Sequence, residues 1–207
     1  MADFKVIAFD CDGVMFDTET ANRAYYNDIL AHLGKPPMTE KQFEYCQMST
    51  ADQAVAYLIP DADEFARGQQ FRKKRGYAPY IKYMKMAPDL VDVLSWCCRR
   101  LNTAVATNRS DTMGRVLEVH GLEKYFDLVV TALDVENPKP HPEQLLRITE
   151  HFRVLPEQVL YIGDSPVDEE AARAAGAVLA ACCNRRLKAD YHIDRLSEIK
   201  AIADGRS

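Results

Sequence analysis

The chain has 207 residues, of which 47% are hydrophobic and 28% charged, so it can bury a core and is not a disordered segment. Its net charge of −5 argues against a general nucleic-acid or membrane-surface binder, and no apolar run approaches the roughly 20 residues that a membrane helix needs. The 6 cysteines include vicinal pairs that fit neither a disulfide framework nor a spaced zinc site; since the N-terminus has no signal-peptide layout, we expect a cytoplasmic location.

The first predicted element is a short strand that ends in two acidic residues. Val6–Phe9 is apolar, β-branched and aromatic, as expected of a strand buried on both faces of a parallel sheet. If the backbone stays extended, Asp10 and Asp12 project to the same side, and like charges so close are stable when a cation lies between them. Because carboxylate oxygens are hard ligands, Mg²⁺ is the first candidate. The alternative is a solvated turn after a strand, and this stretch alone does not decide between the two.

A long helical stretch follows, and no strand is predicted within it. The predicted helices are Thr18–Leu33, a short helix opened by a capping box at Thr39–Gln42, one from Ser49 or Thr50 to Pro60, and 61–86 with breaks at Gly76 and Pro79. The apolar residues recur at helical spacing throughout. We therefore expect an all-helical insert.

From Pro88 onwards, predicted helices and strands alternate. The elements are a helix from Pro88, strand Thr103–Thr107, a helix capped by Ser110 that ends at Gly121, strand Leu128–Thr131, helix Pro142–Phe152, strand Val159–Gly163, a helix opened by Ser165 that ends at Gly176, strand Ala177–Ala181 and a weak helix Leu196–Ala203. Such alternation predicts an α/β fold, a parallel sheet with helices on both faces. We therefore expect an α/β core domain of residues 1–16 and 87–207 and an inserted helical cap domain of residues 17–86.

Polar and charged residues follow four of the segments that lead to one edge of this predicted sheet. They are Asp10 and Asp12, Thr107 and Asn108, Lys139, and finally Asp164 and Asp168. In open α/β sheets, ligands bind outside the carboxyl ends of the strands. Carboxylates would hold a divalent cation, while the lysine and the neutral donors would hold the oxygens of a phosphoryl group. Each element alone has an ordinary explanation, such as a helix cap or a solvated loop lysine, but together and in this order they favour a phosphate site.

These residues resemble the four motifs of the haloacid dehalogenase-like (HAD) hydrolase superfamily. The matching segments are Asp10–Val14, Thr107–Asn108, Lys139–Pro140 and Gly163–Asp168. The insert after the first motif is similar to the helical cap of the subclass that includes phosphoglycolate phosphatases and β-phosphoglucomutases. The resemblance spans essentially the whole chain, and it implies a Rossmann-like, three-layer core with a parallel sheet and an inserted all-helical cap.

The resemblance also implies a role for each motif residue. Asp10 would be the nucleophile that forms an aspartyl-phosphate, and Asp12 would protonate the leaving oxygen and later take a proton from water. Thr107 and the Asn108 backbone would bind phosphate oxygens, and Lys139 would neutralise the crowded negative charge. The cofactor would be Mg²⁺, held by Asp10, the backbone carbonyl of Asp12 and Asp164, with Asp168 completing or supporting the site.

The acid at position 12 also favours one reaction over others in this superfamily. Its dehalogenase branch lacks an acid two residues after the nucleophile, because a halide leaves without a proton whereas an alkoxide needs one. Asp12 therefore favours a phosphatase over a dehalogenase. We expect a Mg²⁺-dependent enzyme for a small-molecule phosphate ester, either phosphoglycolate-like or a sugar phosphate. The protein is expected to be a monomer or a homodimer. The alternatives are a phosphomutase of the β-phosphoglucomutase type and, in another class, a non-catalytic phosphate-binding or signalling protein. The sequence assigns no role to Arg109.

Contacts to the leaving group are expected from the insert, which carries most of the tyrosines and the basic run Arg72–Arg75. One interpretation is that cationic and phenolic groups close over a polar or anionic ester. The alternative, favoured for the basic run, is a solvated helix face, with tyrosines that pack the insert. The stretch Met15–Thr20 is predicted to contact the substrate because it links the insert to the core.

Overall fold

The computed structural model describes residues 3–205 and contains a six-stranded parallel sheet. The strands of the protein are β1 (Val6–Phe9), β2 (Phe16–Asp17), β3 (Lys85–Met86), β4 (Asn102–Ala106), β5 (Leu128–Val130), β6 (Val159–Gly163), β7 (Val178–Cys182) and β8 (Tyr191–Ile193). The sheet has the order β5-β4-β1-β6-β7-β8, and each neighbouring pair runs parallel. The predicted α/β class is confirmed.

Helices cover both faces of the sheet and form most of the segment between β2 and β3. They are α1 (Glu19–His32), α2 (Glu40–Met48), α3 (Ala51–Leu58), α4 (Ala62–Arg75), α5 (Leu90–Cys97), α6 (Met113–His120), α7 (Glu143–Phe152), α8 (Pro166–Ala175) and α9 (Ile199–Ala203), with 3-10 helices at Ala78–Tyr83, Glu123–Tyr125, Pro156–Gln158 and Leu196–Glu198. No helix among residues 3–205 combines the length and the apolar character needed to cross a membrane.

Strand β1 lies inside the sheet because all four of its side chains are apolar. Ile7 and Phe9 belong to a core cluster that includes residues of α5, α6 and α9, whereas Val6 and Ala8 pack with residues of α7 and α8 on the opposite face. The strand pairs with β4 on one side and with β6 on the other. The three layers therefore meet at β1, and its carboxyl end lies between those of β4 and β6.

The segment from α1 to α4 is helical, as predicted, and two of its helices begin with reciprocal capping boxes. Thr39 accepts a hydrogen bond from the backbone of Gln42 (3.3 Å) and returns one to its side chain (2.8 Å). Thr50 and Gln53 repeat the arrangement at 3.3 and 3.0 Å. The capping box predicted at Thr39 is confirmed, and the third helix begins after Thr50 rather than Ser49.

The prediction that this segment holds no strand is wrong at its ends. Phe16–Asp17 pairs antiparallel with Lys85–Met86, so the two chain crossings between the sheet and the helical segment form a small ribbon. Phe16 is fully buried, and Lys85 makes an exposed ion pair with Asp17 at 3.3 Å. A two-residue strand gives no periodic signal, which is why the pattern of the sequence missed it.

Helix α6 begins at Met113, later than the predicted cap Ser110. The residues before it are held by other bonds: the backbone N–H of Arg109 donates to Oγ1 of Thr107 (3.1 Å), and its carbonyl accepts from the N–H of Ala132 (2.9 Å). This irregular loop follows the sheet edge before the helix starts. It thereby directs Arg109 towards the carboxyl end of β1.

Candidate active site

The predicted site residues meet at one edge of the sheet. Asp10 follows β1, Thr107 follows β4 and Asp164 follows β6, and these strands are neighbours. Lys139 enters from the loop between β5 and α7, and Asp168 lies in the first turn of α8. The edge and the helical segment enclose a cleft with a cavity volume of about 100 Å³. That is far less than a pocket for a drug-sized ligand.

Asp10 is the buried acid at the centre of this edge, with 6% of its surface exposed. Its backbone N–H donates to the carbonyl of Ile162 (2.9 Å), which keeps it in line with the sheet. Oδ1 lies 3.0 Å from Nζ of Lys139 but accepts no hydrogen bond from the described residues. Burial raises the pKa of this carboxyl to about 7 against the opposing charge of Lys139, and the acids Asp168 and Asp12 add to the rise. A buried carboxylate oxygen without a donor is suited to bind a metal or attack an electrophile.

Lys139 is a fixed positive charge beside Asp10, with 1% of its side chain exposed. Nζ donates to Oδ1 of Asp168 (2.7 Å) and to Oη of Tyr161 (2.8 Å). Burial disfavours the ammonium, but Asp10 and Asp168 outweigh it and raise the pKa of Lys139 above its ordinary value. Tyr161, in β6, was not predicted; its hydroxyl donates in turn to Asp168 (2.6 Å). The lysine is therefore protonated and held in one position.

Asp168 positions its neighbours and has little capacity left for a metal. Its oxygens accept hydrogen bonds from five donors: Nζ of Lys139, Oη of Tyr161, the backbone N–H groups of Asp164 and Ser165, and Oγ of Ser165. Burial opposes its ionisation, but Lys139 and these donors outweigh burial and lower the pKa of Asp168. Direct coordination of a cation by Asp168 would require one of these bonds to break.

Asp164 completes a group of acids that fits a hard divalent cation. Oxygens of Asp10, Asp164 and Asp168 all lie within 4.8 Å of one another. Burial raises the pKa of Asp164 well above its ordinary value, and the carboxylates of Asp168 and Asp10 raise it further. Gly13 leaves room for this group: a Cβ there would lie 2.0 Å from Oδ2 of Asp164. A buried and a half-buried carboxyl with raised pKa values, the first with an oxygen that accepts no hydrogen bond, match the donor set of a Mg²⁺ site.

The carboxylate of Asp12 is not in that group, because it forms a bidentate ion pair with Arg109. Nε of Arg109 donates to Oδ2 (2.7 Å), and Nη2 donates to Oδ1 (2.8 Å). Asn22, in α1, donates to Oδ1 as well (3.1 Å). Burial opposes ionisation, but the guanidinium outweighs it and holds the pKa of Asp12 below its ordinary value. Of the metal ligands predicted at this residue, only the backbone carbonyl remains a candidate.

Thr107 and Asn108 lie where a phosphate-binding role requires them. Thr107 is 1% exposed, and its hydroxyl oxygen accepts from the backbone of Arg109 (3.1 Å). Nδ2 of Asn108 donates to the carbonyl of Lys139 (2.9 Å) and to that of Met48 (3.3 Å) in the helical segment. The side chain of Asn108 thus connects three parts of the cleft.

The helical segment contributes tyrosines to the cleft but not its basic run. Tyr25, Tyr26 and Tyr77 line the cavity, and the ring of Tyr25 lies 5.1 and 5.0 Å from the other two. In the basic run, Arg72 is only 8% exposed, is paired with Asp52 at 2.7 Å and does not line the cavity. The interpretation of that run as a solvated face is therefore wrong for Arg72.

The stretch Met15–Thr20 does not line this cavity, and the substrate contact expected of it stays a prediction. Met15 and Thr18 are buried, and Oγ1 of Thr18 accepts hydrogen bonds from the side chains of Gln47 (3.1 Å) and Asn22 (3.3 Å). Gln47 and Asn22, which bond to Thr18, line the cavity themselves. The stretch therefore supports the wall of the cleft from behind.

The family model of the haloacid dehalogenase-like hydrolases matches residues 7–182, which include every predicted site residue. The chain belongs to this family. The predicted family and the class of hydrolase are thereby confirmed.

Two curated relatives of this HAD-like hydrolase are phosphatases. Phosphoglycolate phosphatase from Shigella flexneri is 37% identical over 203 residues, which cover 84% of this chain and 79% of the relative. A phosphorylated carbohydrates phosphatase from Thermotoga maritima is 30% identical over 179 residues, which cover 83% of this chain and 82% of the relative.

Solved structures of other HAD-like hydrolases have the same fold. A subfamily IA, variant 1 hydrolase from Geobacter sulfurreducens is 34% identical and superimposes with a TM-score of 0.80 over 98% of this chain and 97% of its own. A β-phosphoglucomutase from Clostridium difficile reaches a TM-score of 0.85 at 19% identity, over 98% and 97% of the two chains. At 19% identity, the similarity to the β-phosphoglucomutase shows a shared fold and nothing about activity.

Proposed function

We propose that this HAD-like hydrolase is a Mg²⁺-dependent phosphatase that cleaves a small organic phosphate monoester through an aspartyl-phosphate on Asp10. One observation carries the proposal: a buried oxygen of Asp10 accepts no hydrogen bond, yet it lies 3.0 Å from the ammonium of Lys139. Asp10 and Asp164 both line the cleft, and their carboxylates lie close together. A carboxylate in such a place can attack a phosphorus atom whose oxygens are held by nearby cations.

In the first step, a carboxylate oxygen of Asp10 bonds to phosphorus as the bond from phosphorus to the leaving oxygen breaks. Asp12, once it has taken up a proton from solvent, gives that proton to the leaving oxygen, so the product leaves as an alcohol. In the second step, Asp12 takes a proton from water, the water oxygen attacks phosphorus, and inorganic phosphate leaves Asp10 regenerated. The two acids therefore have different tasks, and their surroundings differ accordingly: Asp10 borders Lys139, whereas Asp12 borders Arg109.

The metal would be held by Asp10, Asp164 and the backbone carbonyl of Asp12. When bound, Mg²⁺ supplies positive charge that neutralises the phosphoryl oxygens and polarises the bonds to phosphorus. Asp168 is assigned as a positioning residue, because its oxygens already accept hydrogen bonds from Lys139, Tyr161 and the loop after β6. Of the two roles expected of Asp168, completing or supporting the site, we propose the supporting one.

Phosphate oxygens would be bound by Thr107, the backbone of Asn108 and Lys139. The hydroxyl of Thr107 borders the cleft and can turn its proton towards it, since its oxygen accepts from the backbone of Arg109. Lys139 contributes a full positive charge that is held in place by Asp168. These groups would also stabilise the charge that develops in the transition state.

The two proposed domains would have different tasks. Residues 1–16 and 87–207 would form the core that carries out the chemistry, and residues 17–86 would form a cap that encloses the leaving group. The cleft of about 100 Å³ supports a small substrate, and cap opening would admit it. The cytoplasmic location and the monomeric or homodimeric state remain predictions from the sequence.

The test is phosphate release from a panel of esters, with Mg²⁺ and with a chelator. The panel contains phosphoglycolate, sugar phosphates and nucleoside monophosphates, and we expect metal-dependent turnover of one or more of them. Asp10→Asn should abolish turnover, whereas Asp63→Asn, an exposed acid in α4, should not. Acid quenching and mass spectrometry should find a phosphoryl adduct on the peptide with Asp10. Turnover by the Asp10→Asn variant would refute the assignment, and interconversion of a sugar phosphate without release would identify a phosphomutase.

A further inference from the structure

Asp12, the proposed proton donor, has no free oxygen in this structure. The guanidinium of Arg109 donates to both of its carboxylate oxygens at 2.7 and 2.8 Å, and Asn22 donates to one of them at 3.1 Å. Bidentate pairs of this kind are among the strongest hydrogen-bonded contacts in proteins. A carboxylate held in this way cannot also reach a leaving oxygen. If the proposed function holds, Arg109 must release Asp12 in every turnover.

Arg109 is placed where it can bind an anion other than Asp12 in the cleft. It is one of two cationic side chains among the described residues that line the cavity, the other being Lys139. Lys139 is already paired with two acids, whereas Asp12 is the only carboxylate in an ion pair with Arg109 among residues 3–205. The remaining contacts of the guanidinium are neutral: Nη2 lies 3.2 Å from Oη of Tyr77, and Cζ lies 4.7 Å from the centre of that ring. An anion that enters the cleft therefore competes with Asp12 for this one cation.

We propose that Arg109 exchanges Asp12 for a second anionic group on the leaving part of the substrate. The guanidinium is a planar fork that binds a carboxylate or a phosphate in the same bidentate manner, so the exchange conserves its hydrogen bonds. Only when such a substrate is bound is the carboxylate of Asp12 released, so that it can take up a proton from solvent and pass it to the leaving oxygen. The substrate class is a short phosphate ester with a carboxylate or a second phosphate. Arg109 thus determines specificity through the rate of the reaction as well as through binding.

The same contacts explain how the helical segment takes part in the exchange. Asn22, from α1, donates to Asp12, and its Oδ1 accepts from Nη2 of Arg109 (3.3 Å) and from the hydroxyl of Tyr77. Asn22 and Tyr77 come from the helical segment, whereas Asp12 and Arg109 come from the loops after β1 and β4. A substrate anion that takes the place of Asp12 would remain under these two side chains. The cap therefore closes over the anionic group of the substrate that displaces Asp12 from Arg109.

The test compares two esters of similar size that differ in one charge. Phosphoglycolate carries a carboxylate where 2-hydroxyethyl phosphate carries a hydroxymethyl group. We expect the unmodified protein to turn over phosphoglycolate with a kcat about 10- to 100-fold higher, the range for one hydrogen-bonded contact to a charged group. Arg109→Met should remove this preference: kcat for phosphoglycolate falls, while kcat for 2-hydroxyethyl phosphate stays or rises because Asp12 is released. Arg109→Lys, which keeps the charge but not the fork, should give an intermediate ratio.

Arg72→Met is the matched control, because Arg72 is equally buried and ion-paired but does not line the cavity. It should leave the ratio of the two kcat values unchanged. The proposal is overturned if the unmodified protein turns over both esters with equal kcat, a result that needs no variant and leaves the phosphatase function standing. It is also overturned if Arg109→Met lowers both values by the same factor, as a purely structural ion pair would. A protein that releases phosphate from no ester at all would refute the proposed function together with the exchange.

Discussion

Replacing Lys139 with methionine tests the charge arrangement on which the proposed site depends. The ammonium of Lys139 lies 3.0 Å from Oδ1 of Asp10 and 2.7 Å from Oδ1 of Asp168, and 1% of its side chain is exposed. Methionine fills much of the same space but leaves two buried carboxyls without the cation between them. We therefore expect the variant to lose stability as well as activity.

The size of the effect follows from the burial of this pair. Removing one partner of a buried ion pair costs about 3–5 kcal/mol, which is a large part of the about 5–15 kcal/mol that stabilises a typical domain. Since burial has raised the pKa of Asp10 to about 7, a proton can replace part of the lost charge at neutral pH, and we expect the lower end of that range. At about 2–4 °C per kcal/mol for a chain of this size, Tm should fall by about 6–12 °C. Turnover should fall about 100-fold or more, the cost of losing one group that stabilises developing negative charge.

The assay is calorimetric unfolding of the metal-free protein, followed by phosphate release with Mg²⁺. Lys85→Met is the matched control, because Lys85 pairs with Asp17 at 3.3 Å while both side chains are mostly exposed. Exposed pairs contribute about 0–1 kcal/mol, so this control should change Tm by no more than about 4 °C. If Lys139→Met unfolds at the same temperature as Lys85→Met, the buried charge network is not what stabilises this edge of the sheet, and the reasoning fails.

Three further predictions concern the groups around this network. Gly13→Ala places a Cβ 2.0 Å from Oδ2 of Asp164, in a residue whose φ is +81°. It should weaken Mg²⁺ binding in calorimetric titration and cost at least about 1 kcal/mol of stability. The control is Gly34→Ala, which has a φ of +71° but no atom within 4 Å of the added Cβ and should leave Mg²⁺ affinity intact. Mg²⁺ at about 100 times its Kd should stabilise the protein by about 2.7 kcal/mol and raise Tm by about 5–10 °C. Asp164→Asn should abolish this increase in Tm. An equal increase in the unmodified protein and in Asp164→Asn would exclude Asp164 as a ligand. Tyr161→Phe removes the hydroxyl that joins Lys139 to Asp168 and should cost about 1–3 kcal/mol in chemical denaturation, whereas an unchanged midpoint would mean that the lysine is held without it.

Much of the site could be predicted because it follows from the alternation of strands and helices. The carboxyl ends of parallel strands lie at one edge, so Asp10, Thr107 and Asp164 had to meet once their strands were neighbours. The apolar runs of β1 and β6 made both strands visible in the sequence. The predicted bounds of β6 match the structure, and Gly176 ends α8 as expected from a residue in the left-handed conformation.

The missed residues depend on contacts between distant parts of the chain. Arg109 binds an acid 97 positions away, and no local pattern announces such a pair. Tyr161 looks like an ordinary core residue in a buried strand, because only its hydroxyl belongs to the network. The strand Tyr191–Ile193 escaped prediction since three residues carry too short an alternation to distinguish them from a loop.

The inner place of β1 in the sheet has a consequence for how the protein is made. Val6–Phe9 pairs with residues 102–105 and 159–162, so both of its partners are synthesised long after it. At about 5–20 residues per second, the second partner follows the first strand by about 8–30 s. Throughout that interval, this apolar strand of the nascent chain has at least one unpaired edge, which is the kind of surface that promotes aggregation. Asp10, which follows this strand, is thus synthesised well before the strands that complete its site.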